Sequence, residues 1–292
     1  MPNSKDIQYV IITPVRDEAL YIEKTIESVA SQTIKPVEWV IVNDGSTDDT
    51  GKIIDQYSKN YPWMHIIHRE NRGFRKSGGG VIEAFYDGYN SLKSKDWDFI
   101  VKLDGDLSFK QDYFEGCFER FRANPKLGIA GGTICHLING ILKPEKNPQF
   151  HVRGATKIYR KVCWDAIGGL IKAPGWDAVD EVKANMLGWQ SQTFLDLKLI
   201  HYRYTGRSDG IWGGHVKNGI ADYVAGYHPL FMLVKSLRRL IKKPYVIGSL
   251  ALLYGFISSY MRKGLRVNDE NLIKYIREQQ MRRLTLRKTI WK

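Results

Sequence analysis

The chain has 292 residues, a formal net charge of +13, 43% hydrophobic and 26% charged residues, which is the composition of a globular protein large enough for one or two domains. Cys117, Cys135 and Cys163 are odd in number, widely spaced and without a CxxC pair, which suggests neither a disulfide framework nor a zinc–thiolate site and is read most simply as a reducing compartment. The charge is lopsided: residues 229–292 hold 15 Lys and Arg against 3 Asp and Glu, so a nearly neutral body carries a basic tail of the kind that meets anionic lipid or nucleic acid.

From Met1 the chain runs without a signal-peptide pattern into "YVIITPVR" (9–16), a short apolar run that predicts a buried strand. "EALYIEKTIESVASQ" (18–32) has Ile22, Ile26 and Val29 at helical spacing. "EWVIVND" (38–44) reads as a strand, "DDTGKIIDQYSKNY" (48–61) as a helix, "WMHIIHR" (63–69) as a strand, "GGVIEAFYDGYNSLK" (79–93) as a helix and "DFIVKLD" (98–104) as a fourth strand. This βαβαβαβ rhythm predicts an α/β fold with a mostly parallel sheet and helices on both faces. Residues 136–153 read as a mobile connection. "ATKIYRKVCWDAIGG" (155–169) reads as strand then helix, "DAVDEVKANMLGW" (177–189) as a helix and "SQTFLDLKLIHYRY" (191–204) as a strand. "PLFMLVKSLRRLIKK" (229–243) is an amphipathic basic helix suited to a membrane surface. Residues 244–261 are uncharged and border on spanning length, but their Gly and Ser residues favour an interfacial or re-entrant pair of short helices over a clean span. Another basic helix covers 269–288.

Ligands of open parallel sheets bind beyond the carboxyl ends of the strands. Pro14, Arg16, Asp17 and Glu18 stand at the first such end, Asp44 at the second, and Arg72, Arg75 and Lys76 follow the third. Asp104-Gly105-Asp106 follows the fourth. A turn would explain that triplet alone, but at a central strand end two carboxylates around a Gly suit a hard divalent cation. The Gly-rich "NRGFRKSGGG" (71–80) suits a diphosphate and matches neither the dinucleotide nor the P-loop fingerprint. Asp177, Asp180 and Glu181 share a helix face, a like-charge arrangement that a general base would justify. His201 and His215 are candidates for a nitrogen ligand to the metal. "HYRYTGRSDG" (201–210) reads as a lid, with Arg203 and Arg207 facing phosphates.

"IITPVRDEALYIEKTIESVASQT", "VIVNDGSTDDT", "KLDGDLSF" and "GWDAVDEVKANMLGW", in that order, resemble glycosyltransferase family 2 over about residues 7–205. Asp17 stands where the family usually has Asn, and Asp180-Glu181 reverses its Glu-Asp pair, which leaves the base open among Asp177, Asp180 and Glu181. The resemblance implies a GT-A fold and an inverting transfer from a UDP-, GDP- or dTDP-sugar to a hydroxyl of a glycan or polyprenyl-linked acceptor. It implies that Asp44, with Glu18 or Asp17, holds the nucleoside. Asp106 and Asp104 would bind Mn²⁺ or Mg²⁺, Arg72 or Arg75 would face the leaving group, and Trp176 reads first as a buried aromatic, with stacking on the acceptor sugar as the alternative. The tail resembles that of bacterial members building surface polysaccharide at the cytoplasmic face of the inner membrane. The expected division is a catalytic domain over 1–228 and a membrane-associating tail over 229–292, with no nucleic-acid partner and a homo-oligomer left open. A sugar nucleotidyltransferase would want a Gly-rich loop with a Lys after the first strand, which "TPVRDEA" lacks. A non-enzymatic RNA adaptor would want aromatics interleaved with the tail's cations on one surface.

Overall fold

The computed structural model describes residues 7–74, 79–203 and 210–291. Strands and helices alternate as the sequence predicts: β1 (Tyr9–Val15), α1 (Ile22–Ala30), β2 (Glu38–Asn43), α2 (Thr50–Ser58), β3 (Met64–His68), α3 (Gly80–Ser91) and β4 (Phe99–Leu103). These four strands pair in parallel in the order β3-β2-β1-β4. Their two faces are both apolar because both are covered. Tyr9, Ile11, Trp39 and Ile41 pack with Ile22 and Ile26 of α1 on one side. Val10, Ile12, Val40 and Val42 pack with Ile82 and Phe85 of α3 on the other.

The chain continues through β5 (Leu107–Phe109), α4 (Tyr113–Ala123), β6 (Leu127–Ile138), β7 (Ile141–Pro144), β8 (Thr156–Arg160), α5 (Lys161–Ile167), α6 (Trp176–Met186) and β9 (Gln190–His201). Here the sheet becomes mixed. β8 is antiparallel to β4, β6 antiparallel to β8, β9 parallel to β6 and β5 antiparallel to β9. The expected connection at 136–153 is largely a hairpin of β6 and β7. Asn139 and Gly140 both have positive φ, 51° and 76°, the backbone that a two-residue hairpin turn demands and that Asn-Gly supplies.

Among the described residues four further helices follow: α7 (Gly210–Val224), α8 (Pro229–Arg239), α9 (Tyr245–Met261) and α10 (Glu270–Leu284). The expected pair of short helices at 244–261 is one 17-residue helix. Its Gly and Ser residues are no breaks, because Gly248, Ser249, Gly255 and Ser259 lie on the buried side. A β-carbon on Gly255 would come within 2.1 Å of the Val216 carbonyl of α7, and one on Gly219 within 2.1 Å of the Leu252 carbonyl of α9. The two helices therefore touch backbone to backbone. α10 covers α6, with Leu272 and Ile276 packed with Val179 and Val182. Among the described residues no helix is long and apolar enough to cross a membrane.

Candidate active site

Because β1 to β4 are parallel neighbours, the loops after them share one rim, where they interlock. Pro14 is buried near the end of β1, and Arg16 follows it out. Arg16 donates to Asn71 Oδ1 at 3.1 Å and to the Phe74 carbonyl at 3.2 Å. Asp17, with φ at 55°, accepts from the Thr47 amide at 2.8 Å. The Glu18 amide donates to Thr50 Oγ1 at 2.8 Å. Asp44 is clamped by two guanidinium groups, Arg69 and Arg72, each at 2.5 Å. Arg72 also reaches Glu83 at 2.9 Å, so it ties Asp44 to α3. Arg75 and Lys76 lie outside the described residues.

Asp104-Gly105-Asp106 occupies the adjoining rim position. A β-carbon at Gly105 would lie 2.5 Å from Val15 Cγ1, so only Gly lets this loop press against the end of β1. Asp106 is 4% exposed, and its Oδ2 lies 3.1 Å from His201 Nε2. Asp104, Asp106 and His201 offer ligand atoms that all lie within 4.8 Å of one another. His201 Nδ1 is buried without a hydrogen-bond partner, unlike the ring of a satisfied core histidine. Two carboxylates and an imidazole on this spacing fit Mn²⁺ or Mg²⁺. Burial pushes the Asp104 pKa up, against the pull of Lys102. Burial pulls His201 down, but its hydrogen bond to Asp106 and the nearby carboxylates leave it raised. Behind His201, His136 donates from Nδ1 to the His201 carbonyl at 3.0 Å, and its Nε2 meets Glu145 at 2.9 Å. His215 is not in this cluster; it meets Arg239 at 2.7 Å.

The three acidic residues of α6 separate by environment. Asp180 and Glu181 are 4% and 2% exposed. Asp180 accepts from Lys157 Nζ on both oxygens at 2.9 Å, from Tyr159 OH at 2.6 Å and from the Glu181 amide at 2.7 Å. Burial pushes its pKa up to about 6, with Lys157 opposing. Glu181 takes the Val152 amide at 2.7 Å, His151 at 2.9 Å and Lys157 at 2.9 Å. Asp177 alone of the three is partly exposed, and its side chain lies against Gly154. The Gly154 carbonyl accepts from Lys102 at 2.7 Å, and the same ammonium pairs with Asp104. The acidic helix and the Asp-Gly-Asp loop thus meet through one lysine. Trp176, 7% exposed, has the ammonium groups of Lys102 and Lys157 5.4 and 5.6 Å from its ring. It is a wall of this network rather than an open platform for a sugar.

Sequence reasoning passed over Lys102, Lys157 and Glu83, and placed Arg69 on the rim after the third strand without giving it a role. For Lys102 a signal was present: it is the lone charge in the apolar strand β4, two residues before Asp104, whereas Lys157 shares β8 with Arg160 and does not stand out. Arg203, expected to face phosphate, instead holds the Asp17 carbonyl at 2.5 Å and Glu18 at 2.8 Å. Arg207 lies outside the described residues.

A profile of Glycosyl transferase family 2 matches residues 10–169. The glycosyltransferase GlyA of Streptococcus pneumoniae is 30% identical over 115 residues, which are 39% of this chain and 15% of that one. The poly-beta-1,6-N-acetyl-D-glucosamine synthase of Staphylococcus epidermidis is 30% identical over 117 residues, 40% of this chain and 26% of that one. The chain therefore spans a minor part of these relatives' length. Among solved structures, the mannosyltransferase PcManGT from Pyrobaculum calidifontis, in complex with GDP-Man and Mn²⁺, superposes with a TM-score of 0.56 at 15% identity, covering 89% of this chain and 75% of that one. S. aureus TarS 1-349 in complex with UDP-GlcNAc gives 0.54 at 15% identity, covering 94% and 81%. At such identity the likeness is one of fold.

Proposed function

The chain belongs to glycosyl transferase family 2 and has a GT-A fold, and on that premise we propose that it moves a sugar, with inversion, from a nucleotide-diphosphate donor to a hydroxyl of a glycan or polyprenyl-linked acceptor. The observation that carries this reading is the convergence of Asp104, Asp106 and His201 beside the clamped Asp44 on one rim. Asp44 holds the nucleoside, with Asp17 or Glu18 closing the loop over it. Arg69 and Arg72 fix the direction of the Asp44 carboxylate. Asp104, Asp106 and His201 would hold Mn²⁺ or Mg²⁺, which when bound offsets the charge of the diphosphate and of the departing nucleoside diphosphate.

Asp177 is the carboxylate best suited to take the acceptor's hydroxyl proton as the oxygen attacks the anomeric carbon. It is partly open, whereas Asp180 and Glu181 spend their oxygens on Lys157, Tyr159, His151 and backbone amides. Those two shape the start of α6. Two relatives are by name a chondroitin synthase and a poly-beta-1,6-N-acetyl-D-glucosamine synthase, which supports work in bacterial surface-polysaccharide synthesis. We place that work at the cytoplasmic face of the inner membrane, with residues 1–228 carrying the chemistry and 229–292 the attachment.

The test is a donor screen. Thermal unfolding and slow donor hydrolysis are followed with UDP-, GDP- and dTDP-sugars, with and without Mn²⁺. One nucleotide should stabilise the protein in a metal-dependent way, by about 2.7 kcal/mol at a hundredfold excess over Kd, and Asp106→Ala should abolish the effect. No metal-dependent response to any of the three overturns the reading.

A further inference from the structure

We propose that the exposed stripe of α9, extended by Trp212 of α7, is a docking surface for an anionic lipid bilayer on which the protein lies flat. The proposal rests on the membrane attachment inferred above and gives it a face. Ile247, Leu250, Tyr254, Ile257 and Met261 recur at intervals of three and four residues, and each is at least 51% exposed. They form one long side of a helix whose other side is packed on α7. Water-facing apolar patches of this extent mark interaction sites. Trp212, 47% exposed, sets its ring 6.1 Å from that of Tyr254 and carries the stripe across to α7. Trp and Tyr favour the boundary between water and hydrocarbon.

Charge selects the occupant. α9 has no ionisable acid or base but Tyr, yet exposed Arg238, Lys242 and Lys243 precede it and exposed Arg262 and Lys263 follow it. Residues 229–268 contain no Asp or Glu. A second copy of the chain would bring two such cationic collars together, whereas anionic lipid offers the opposite sign to both ends of the stripe. Length sets the posture. Seventeen residues make a helix about 25 Å long at a rise of about 1.5 Å per residue, short of the roughly 20 apolar residues that a span needs. With one side held by α7, α9 lies in the plane of the interface.

The test uses the full chain in vesicle flotation, with phosphatidylcholine alone and with phosphatidylglycerol added. The parent protein should float with the anionic vesicles and much less with the neutral ones, and added salt should weaken the association. The double variant Leu250→Glu, Ile257→Glu should float at least tenfold less, with its unfolding midpoint and donor-induced thermal shift unchanged. Brominated lipid should quench fluorescence in the parent, and Trp212→Phe should remove that component. Equal flotation of parent and double variant overturns the proposal, as does a parent that ignores anionic vesicles while the variant converts a dimer to monomer. A chain that binds donor but not vesicles defeats this inference alone; one that floats but binds no donor defeats only the transfer reading.

Discussion

At the scale of single residues, burial separates the three acids of α6. Asp177→Asn should lower kcat by about 10²–10⁴-fold, the usual range for a lost general base, and leave donor affinity and unfolding midpoint nearly unchanged. Asp180→Ala should do the opposite first. It leaves Lys157, which is fully buried, short of its main partner, and breaking such a pair costs about 3–5 kcal/mol, read as a lower urea midpoint. Kinetics and unfolding on the two variants check both statements. The sequence exposed the acids but could not rank them, because spacing along a helix says nothing about what packs above it. The lysine that occupies Asp180 comes from β8, 23 positions earlier in the chain, a distance no local pattern bridges. Asp44, Asp104 and Asp106 were legible because strand ends are local features and parallel order places them on one rim.

At the scale of elements, the first four strands and three helices followed from apolar runs and helical spacing, since each is buried on the side that its own pattern declares. The β6–β7 hairpin was missed although Asn139-Gly140 is a strong turn signal, because exposed Leu137, Ile141 and Leu142 blur the alternation around it. α9 was split because Gly and Ser at a tight helix crossing look like breaks when the neighbouring helix is unseen. Strand β2 carries an acid-sensitive contact of its own. Glu38 at its start is buried, which alone would raise its pKa, but the amides of Ser94 and Lys93 donate to it and hold it below its ordinary 4.5. Its folded pKa is depressed, so its stabilisation is present above about pH 4.5 and is lost as pH falls through the folded value. Urea midpoints between pH 6 and pH 3 should therefore fall more for the parent than for Glu38→Gln.

At the scale of the molecule, the basic tail is built into the body. α10 supplies Leu272 and Ile276 to the cluster that backs α6, and α9 seats on α7. The proposed division of labour between 1–228 and 229–292 is therefore compatible with dependence of one on the other. A chain cut after residue 228 should lose solubility and unfold at lower denaturant, because Val179 and Val182 would be bared to water; circular dichroism and size-exclusion chromatography check it. Lys102 has a consequence of a different kind. Its ammonium, 2% exposed, sits against Asp104, so the acidic cluster comes with a resident counter-ion. A divalent cation, if bound there as proposed, would have to compete with that ammonium for Asp104 rather than meet a bare carboxylate. A monovalent cation would bring no more charge than the lysine already does, so the resident ammonium would favour a doubly charged guest over a singly charged one.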